Sequence, residues 1–502
     1  MVKRKRGFPT AFTVLFIVLI FAAILTYVVP SGSYAKLIYE PERNIFTVSR
    51  PDGSKEELPV SQDTLNKLQV KVDVEKFKDE SINKPVAIPG TYERVPSNPQ
   101  GFMEVLKAPI TGIYDTIDII TFLLIIGGVI GILNSTGAFD AGIASLSKAT
   151  KGREFLLIVI VTVLIALGGT TFGLAEETIA LYPILIPVFV AAGYDAIVSI
   201  AALYMGSSIG TMFSTVNPFS SVIASNAAGI TFTEGISMRI IGLVIATVLT
   251  ILYIINYGRK IKNNPEKSLT YNERDAIKEK FLKDYDPNNV IEFTLRRKLM
   301  LIIFGLSFVV MTWGVSMKQW WFMEMTALFL FVALLIGFIS GMGEKEFVNK
   351  FIAGAADLVG VALIVGVARA INTIMDKGLI SDTILYYSSN AVQGMNSSLF
   401  MIFMLIIFIV LGFFIPSSSG LAVLAMPIMA PLADSVGLSR DVIVSAYQYG
   451  QGLIAFITPT GLILATLALV DITYDKWLKF ILPLMGYVAA FAAVMLLIQA
   501  TF

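Results

Sequence analysis

The sequence predicts an all-α polytopic membrane protein organised as an internal inverted repeat. Three observations predict it: the composition, a series of apolar runs long enough to cross a bilayer, and a glycine–proline pattern that recurs at one offset. Of 502 residues, 55% are apolar and 15% charged, with a mean hydropathy of +0.75. An ordinary soluble domain carries about 25% charged residues. The net charge of +1 offers no field to recruit a nucleic acid. Cysteine and histidine are both absent. That excludes a disulfide scaffold, a thiolate or imidazole metal site, a cysteine nucleophile and the commonest general base.

Lys3, Arg4, Lys5 and Arg6 precede an apolar run from Ala11 to Val29. This run is longer than a signal-peptide core of about 7–15 residues, and no small-residue cleavage site follows. It reads as a first span with a cytoplasmic N-terminus. Residues 32–98 are polar, with 10 Lys/Arg and 11 Asp/Glu, whereas 258–298 hold 11 Lys/Arg and 7 Asp/Glu. Lys148, Lys151 and Arg153 form a smaller basic stretch. The excess of basic residues on the cytoplasmic side of membrane proteins puts 145–153 and 258–298 inside and 32–98 outside. Pro51-Asp52-Gly53-Ser54 marks a turn between short strands, so the outer loop reads as a small β-rich cap.

Single spans are expected at about 117–134, 236–256, 298–317, 322–342, 357–375 and 477–499. Two longer regions, 196–230 and 440–470, are interrupted by Asn217-Pro218 and Thr458-Pro459, and each reads as one span broken midway. Two pairs of shorter runs, 154–168 with 179–192 and 398–415 with 421–433, flank polar tips and read as re-entrant hairpins. Two hairpins and nine full spans keep both basic loops inside. The organisation is then 1–31 (N-terminus and first helix), 32–98 (outer loop), 99–257 (first repeat), 258–297 (basic loop), 298–356 (linking helices) and 357–502 (second repeat).

The repeat is visible in the punctuation. Gly168, Pro183, Pro187, Gly193 and Gly206 recur 244 residues later as Gly412, Pro427, Pro431, Gly437 and Gly450. Asn217-Pro218 and Thr458-Pro459 match at an offset of 241. Under this topology one copy starts outside and the other inside, so the repeats are inverted. Inverted repeats with broken helices are a hallmark of secondary transporters.

Broken helices leave N–H and C=O groups at membrane depth, where they must line a cavity or bind something. Helix N-termini there favour a carboxylate. The first hairpin tip carries Thr170, Thr171, Glu176, Glu177 and Thr178. An acidic residue at a span's centre costs about 2.5–3.5 kcal/mol, so the glutamates call for a cation: a substrate amine, Na⁺, a proton or an arginine. The alternative is a pair at the interface capping a helix. The second tip offers the hydroxyls of Ser417, Ser418 and Ser419 for a carboxylate or Na⁺. Ser207 and Asn217 in one break, and Gln451, Thr458 and Thr460 in the other, complete the candidate substrate site. Arg369 lies within the 357–375 span. It can hold a substrate carboxylate, neutralise a glutamate, or snorkel to the outer interface.

Leu167-Gly168-Gly169 through Glu176-Glu177, Asn217-Pro218-Phe219, the Pro416–Pro431 segment, Thr458-Pro459-Thr460 and Ile88-Pro89-Gly90-Thr91-Tyr92-Glu93 together resemble the YfcC family. Its members are named as basic amino acid antiporters and group with the anaerobic dicarboxylate carriers. More distantly, the chain is similar to the ion-transporter superfamily that includes divalent-anion:sodium symporters. That resemblance implies a scaffold and a transport domain, elevator motion, homodimers and a bacterial inner-membrane location. Those symporters carry Ser-Asn-Thr at each tip. Here Glu176-Glu177-Thr178 stands in the first place, which argues against their sodium site and against a purely dianionic substrate.

The leading expectation is therefore a secondary-active transporter of small carboxylate-bearing metabolites, with arginine/ornithine-type exchange first. A Na⁺- or H⁺-coupled dicarboxylate or short-chain carboxylate carrier is the alternative. No cofactor is expected beyond a coupling ion. An enzyme is not expected, since the chain offers no metal cluster, Ser/His pair or phosphate loop.

Overall fold

The computed structural model describes residues 9–79, 82, 84–282, 292–318, 320–392 and 394–501. The basic head Lys3–Arg6 and part of the 258–298 loop lie outside them. Helix α1 (Ala11–Val28) begins where the Thr10 hydroxyl accepts the Thr13 N–H, and it stops two residues before Pro30, which cannot continue a helix.

The 32–98 segment is a small β domain. Strands β1 (Gly32–Ser33), β2 (Lys36–Glu40), β3 (Ile45–Ser49), β4 (Lys55–Pro59), β5 (Val86–Ala87) and β6 (Glu93–Arg94) form a sheet of order β4-β3-β2-β5 and a β1-β6 pair, all antiparallel. The β3–β4 turn is the expected one. Gly53 takes φ +84°, and the Asp52 carboxylate accepts the Ser54 N–H at 2.8 Å. Leu37, Phe46, Val48 and Phe77 fill the domain's core.

The membrane part follows in order: α2 (Phe102–Asp115), α3 (Ile117–Ser135), α4 (Ala138–Thr150), α5 (Phe155–Thr171), α6 (Tyr182–Ala191), α7 (Ala196–Met212), α8 (Ile223–Ala228) and α9 (Ile236–Asn263). It continues with α10 (Leu295–Lys318), α11 (Phe322–Ser340), α12 (Glu344–Lys377), α13 (Ser381–Ala391) and α14 (Ser397–Phe414). The last are α15 (Ser418–Ser435), α16 (Arg440–Ala455), α17 (Ile463–Leu469) and α18 (Tyr474–Gln499). The β domain touches the segment that leads from α8 into α9, where Lys71 lies against Gly229, while the basic segment after Asn263 packs at the far end of α9, where Ser268 and Tyr257 both donate to the Asp195 carboxylate. The two polar segments thus lie at opposite ends of a 28-residue helix.

Helix α12 organises one half of the molecule. Its 34 residues extend roughly 50 Å at about 1.5 Å per residue. It packs against α2, α3 and α1, and against α2 and α3 it does so through glycines. A Cβ on Gly354 would sit 2.2 Å from the Gly127 carbonyl, and one on Gly112 2.2 Å from that of Gly366. With no gain from moving apolar surface out of lipid, such close backbone approach is how helices associate. The sequence places a span only at 357–375, because Glu344, Lys345 and Glu346 hide the polar first turns of α12 from a hydropathy reading.

Among the described residues nine helices are long and apolar enough to cross a membrane. They are not the expected nine. They include α14 and α15, which the sequence reads as hairpin arms. They leave out the 196–230 and 440–470 regions, because each is divided: α7 is 17 residues and α8 6, and α16 is 16 and α17 7. Both breaks fall at the expected prolines. The arms also differ between the copies. Helix α6 has 10 residues and follows a 3₁₀ turn over Glu176–Leu181, whereas α15 runs 18 residues through Pro427 and Pro431.

The recurring glycines do the same work in both copies. Gly193 and Gly437 end α6 and α15 in the left-handed region, at φ +84° and +75°. Gly206 and Gly450 let α7 lie on α5 and α16 on α14: a Cβ would stand 3.0 Å from the Thr162 carbonyl in one case and 2.9 Å from that of Leu405 in the other.

Candidate functional site

The two breaks and the two tips enclose one cavity of about 460 Å³, within the range of small-molecule sites. Local sequence explains how each wall forms. After Thr171 the chain leaves the helix at Gly173, φ +79°, and turns into the Glu176–Leu181 segment. The break after α7 is stitched to this turn. The Asn217 amide donates to the Gly169 carbonyl at 2.9 Å, and its oxygen accepts the Phe219 N–H at 2.8 Å. The Thr215 N–H reaches the Thr170 hydroxyl at 2.9 Å, and the Ser207 hydroxyl donates to the Leu174 carbonyl.

The opposite wall is built likewise. Ser417 caps α15, its hydroxyl accepting the Gly420 N–H at 3.2 Å. Tyr447 donates to the Ser418 carbonyl at 2.7 Å, and Gln451 to that of Pro416 at 3.2 Å. Thr458 and Thr460 share a 2.7 Å hydrogen bond. Two side chains reach across between the walls: Tyr204 to the Ala455 carbonyl at 2.7 Å, and Gln448 to the Ser214 hydroxyl at 2.6 Å.

Twelve of the fourteen candidate residues line this cavity: Glu176, Glu177, Thr178, Ser207, Asn217, Arg369, Ser417, Ser418, Ser419, Gln451, Thr458 and Thr460. Thr170 and Thr171 do not. Thr170 is buried and spent on Thr215; Thr171 faces away, its hydroxyl returned to the Leu167 carbonyl at 2.6 Å. Asn217 and Ser207 line the wall while their polar atoms serve the backbone. Capacity is left over on the charged groups and on the side-chain oxygens of Asn372 and Gln448, which line the cavity without a partner.

Those charges are segregated. Glu176 stands close enough to Asp118 for repulsion, Glu177 close enough to Glu176, and Glu177 accepts the Ala175 N–H at 3.1 Å. Arg369 comes from α12 and Lys84 from the β domain, where its ammonium donates to the Ser419 hydroxyl at 2.5 Å. The sequence reading missed Lys84, Asp115, Asp118, Trp320, Trp321 and Asn372, all of which line the cavity. Acids at the start of the 117–134 span were a legible signal for Asp115 and Asp118. No local signal places Lys84.

Interrupted helices around one charged cavity, in a chain with nine helices of spanning length among its described residues, define a polytopic membrane protein of the solute-carrier kind. The model of the family described as "DcuC: C4-dicarboxylate anaerobic carrier" matches residues 8–501. The chain belongs to that family and is a membrane transporter of the DcuC/YfcC type. It is 48% identical over 499 residues to an uncharacterised protein of Haemophilus influenzae, covering 99% of this chain and 98% of that one. It is 31% identical to the "Putative basic amino acid antiporter YfcC" of Escherichia coli K12, covering 98% and 96%. Among solved structures, MtrF of Neisseria gonorrhoeae matches 98% of this chain and 95% of its own, at 17% identity and a TM-score of 0.39. The YdaH transporter of Alcanivorax borkumensis matches 98% of each, at 13% and 0.39.

Proposed function

We propose that the protein is a secondary-active antiporter that exchanges amino acids bearing a second cationic group, with arginine/ornithine-type exchange as the leading case. The observation that carries this reading is the segregation of charge in the cavity. Glu176 neighbours both Asp118 and Glu177, while Lys84 neighbours Arg369 and donates to the Ser419 hydroxyl, and all of them line the one cavity. A zwitterion with an additional cation matches both ends. Its side-chain cation meets the carboxylates, and its α-carboxylate meets the serines and the basic groups. The name of the Escherichia coli relative supports the same class.

Exchange needs the site to open to each side in turn. In this reading the 117–257 and 357–499 copies are inverted, the pairs α5–α6 and α14–α15 are re-entrant hairpins, and the part carrying them moves as an elevator in a homodimer. The 32–98 domain lies outside the bacterial inner membrane, and the N-terminus lies inside.

A second reading, a Na⁺- or H⁺-coupled carrier of dicarboxylates or short-chain carboxylates, is favoured by the family's description and by the paired cations Arg369 and Lys84. There the acidic wall holds the coupling ion. Reconstitution separates the two. Vesicles preloaded with ornithine are given labelled arginine, and a parallel set tests labelled succinate with imposed Na⁺ and H⁺ gradients. Arginine uptake that requires internal ornithine supports exchange. Gradient-driven succinate uptake with arginine inert overturns it in favour of the second reading.

A further inference from the structure

The β domain does more than cover the membrane part. It is fastened to the turn between α12 and α13: the Ser31 hydroxyl donates to the Gly378 carbonyl at 2.8 Å, and the Tyr34 N–H to the Asp382 carboxylate at 3.0 Å. From this anchor β2 runs antiparallel to β5, pairing Lys36 with Ala87 and Leu37 with Val86, and β5 lies against α15. Lys84 stands two residues before β5. The docking of that strand sends its side chain into the cavity, to the Ser419 hydroxyl at 2.5 Å.

Lys84 has no carboxylate within ion-pairing distance among the described residues, and neither has Arg369, which lines the same cavity. The four cavity acids, Asp115, Asp118, Glu176 and Glu177, do not neutralise either one. Asp376 feels the Arg369 charge from further along α12 but is not ion-paired with it, and two neighbouring cations with no paired carboxylate leave a position that an anion can take. A lone lysine head would be expected to reach water or a glutamate; this one is held instead at the serine tip by a hydroxyl.

We propose that Lys84 and Arg369, with Ser419, form the carboxylate-binding end of the substrate site, so that the β domain completes the site rather than merely capping it. The inference rests on the carboxylate-bearing substrate of the proposed function, and it holds for either an amino acid or a dicarboxylate. Burial and the nearby Arg369 guanidinium hold the Lys84 ammonium below the usual lysine range, the condition that a bound anion relieves. Because Lys84 belongs to a domain fastened at Gly378 and Asp382, it serves substrate arriving from the β-domain side.

The test uses the full-length protein in proteoliposomes, with labelled L-arginine and labelled succinate as probes and agmatine, which is arginine without its carboxylate, as competitor. Lys84→Gln is expected to raise the KM of whichever labelled probe is taken up by about 10- to 100-fold, the worth of a charge-assisted contact. Lys84→Arg should recover most of the loss, and inhibition by agmatine should be unchanged. In detergent, L-arginine or succinate should slow acylation of Lys84 by an N-hydroxysuccinimide ester, read by mass spectrometry, whereas agmatine should not.

An unchanged KM in Lys84→Gln overturns the inference. So does agmatine inhibition weakened as much as arginine binding, and so does acylation that neither arginine nor succinate slows. Succinate uptake with arginine inert would defeat the exchange reading and leave this one standing. Acylation protection decides the matter even if neither probe crosses the membrane.

Discussion

The Gln448 amide of α16 donates to the Ser214 hydroxyl at 2.6 Å, in the break that follows α7. This contact ties the second copy's continuous half-helix to the interruption in the first, a sequence separation of 234 residues. Both partners are buried. Replacing Gln448 by Leu leaves Ser214 without its donor and removes a clamp between the walls. Stability should fall by about 1–3 kcal/mol, read as a lower melting temperature in detergent, and uptake should fall with it. A variant with unchanged melting and uptake would show that the two breaks hold their positions independently.

Glu176 and Glu177 differ in their attachments. Glu177 accepts the Ala175 N–H at 3.1 Å and so helps hold the turn; Glu176 neighbours Asp118. Under the exchange reading Glu176→Gln removes a contact to the substrate cation and should lower arginine uptake by at least about tenfold with little change in melting. Glu177→Gln should lower uptake and melting together. Equal arginine uptake in wild type and Glu176→Gln would remove the acidic wall from substrate binding.

Much of this site was legible because proline and glycine act locally. Asn217-Pro218 and Thr458-Pro459 interrupt helices wherever the chain goes, and Gly193 and Gly437 end helices for the same intrinsic reason. The glutamate pair announced itself by its cost in an apolar setting. What stayed hidden depends on tertiary closure. Lys84 is one of 10 basic residues in a mixed-charge segment, and only the docking of β5 on α15 carries it into the cavity. The length of the second tip's outgoing arm was not legible either, because Ser417 caps α15 and the helix carries on through Pro427 and Pro431 to 18 residues. Thr171 sits where helical phase turns it outward, which reading a tip as a block of residues overlooks.

Thr170 and Thr171 make a controlled pair. The Thr170 hydroxyl accepts the Thr215 N–H at 2.9 Å, whereas that of Thr171 returns to its own helix. Thr170→Val should cost about 1–3 kcal/mol through the unpaired Thr215 N–H. Thr171→Val should lie within about 0.5 kcal/mol of wild type and transport normally. Thermal melts and uptake on the same preparations check both, and loss of transport in Thr171→Val would return that residue to the site.

Asp382 fastens the β domain. Its carboxylate accepts the Tyr34 N–H at 3.0 Å and the Ser33 hydroxyl at 3.1 Å, with Lys36 at 3.7 Å. Asp382→Ala removes all three and alters no residue that lines the cavity. Proteolysis within 32–98 should quicken, and the KM of the transported probe should rise as Lys84 loses its placement. Faster proteolysis with an unchanged KM would separate the domain's docking from the site.

The depressed Lys84 ammonium also sets a pH dependence. Its surroundings are Arg369 from α12, Ser419 from α15 and, across the cavity, Asp115, Asp118, Glu176 and Glu177; Asp376 lies two turns along α12 from Arg369. Burial and the Arg369 charge lower the lysine's proton affinity when the site is empty. A bound carboxylate favours the charged form, so binding takes up a proton wherever the empty site has lost it. Affinity for a carboxylate probe is therefore full below the empty-site value and weakens as pH rises through it, and that value lies below that of an ordinary lysine. In Lys84→Arg the guanidinium stays charged across this range, and the alkaline loss should disappear. Titrating the KM for labelled arginine and succinate against external pH in wild type and Lys84→Arg checks it. The same alkaline limb in both proteins would assign the titration to another group.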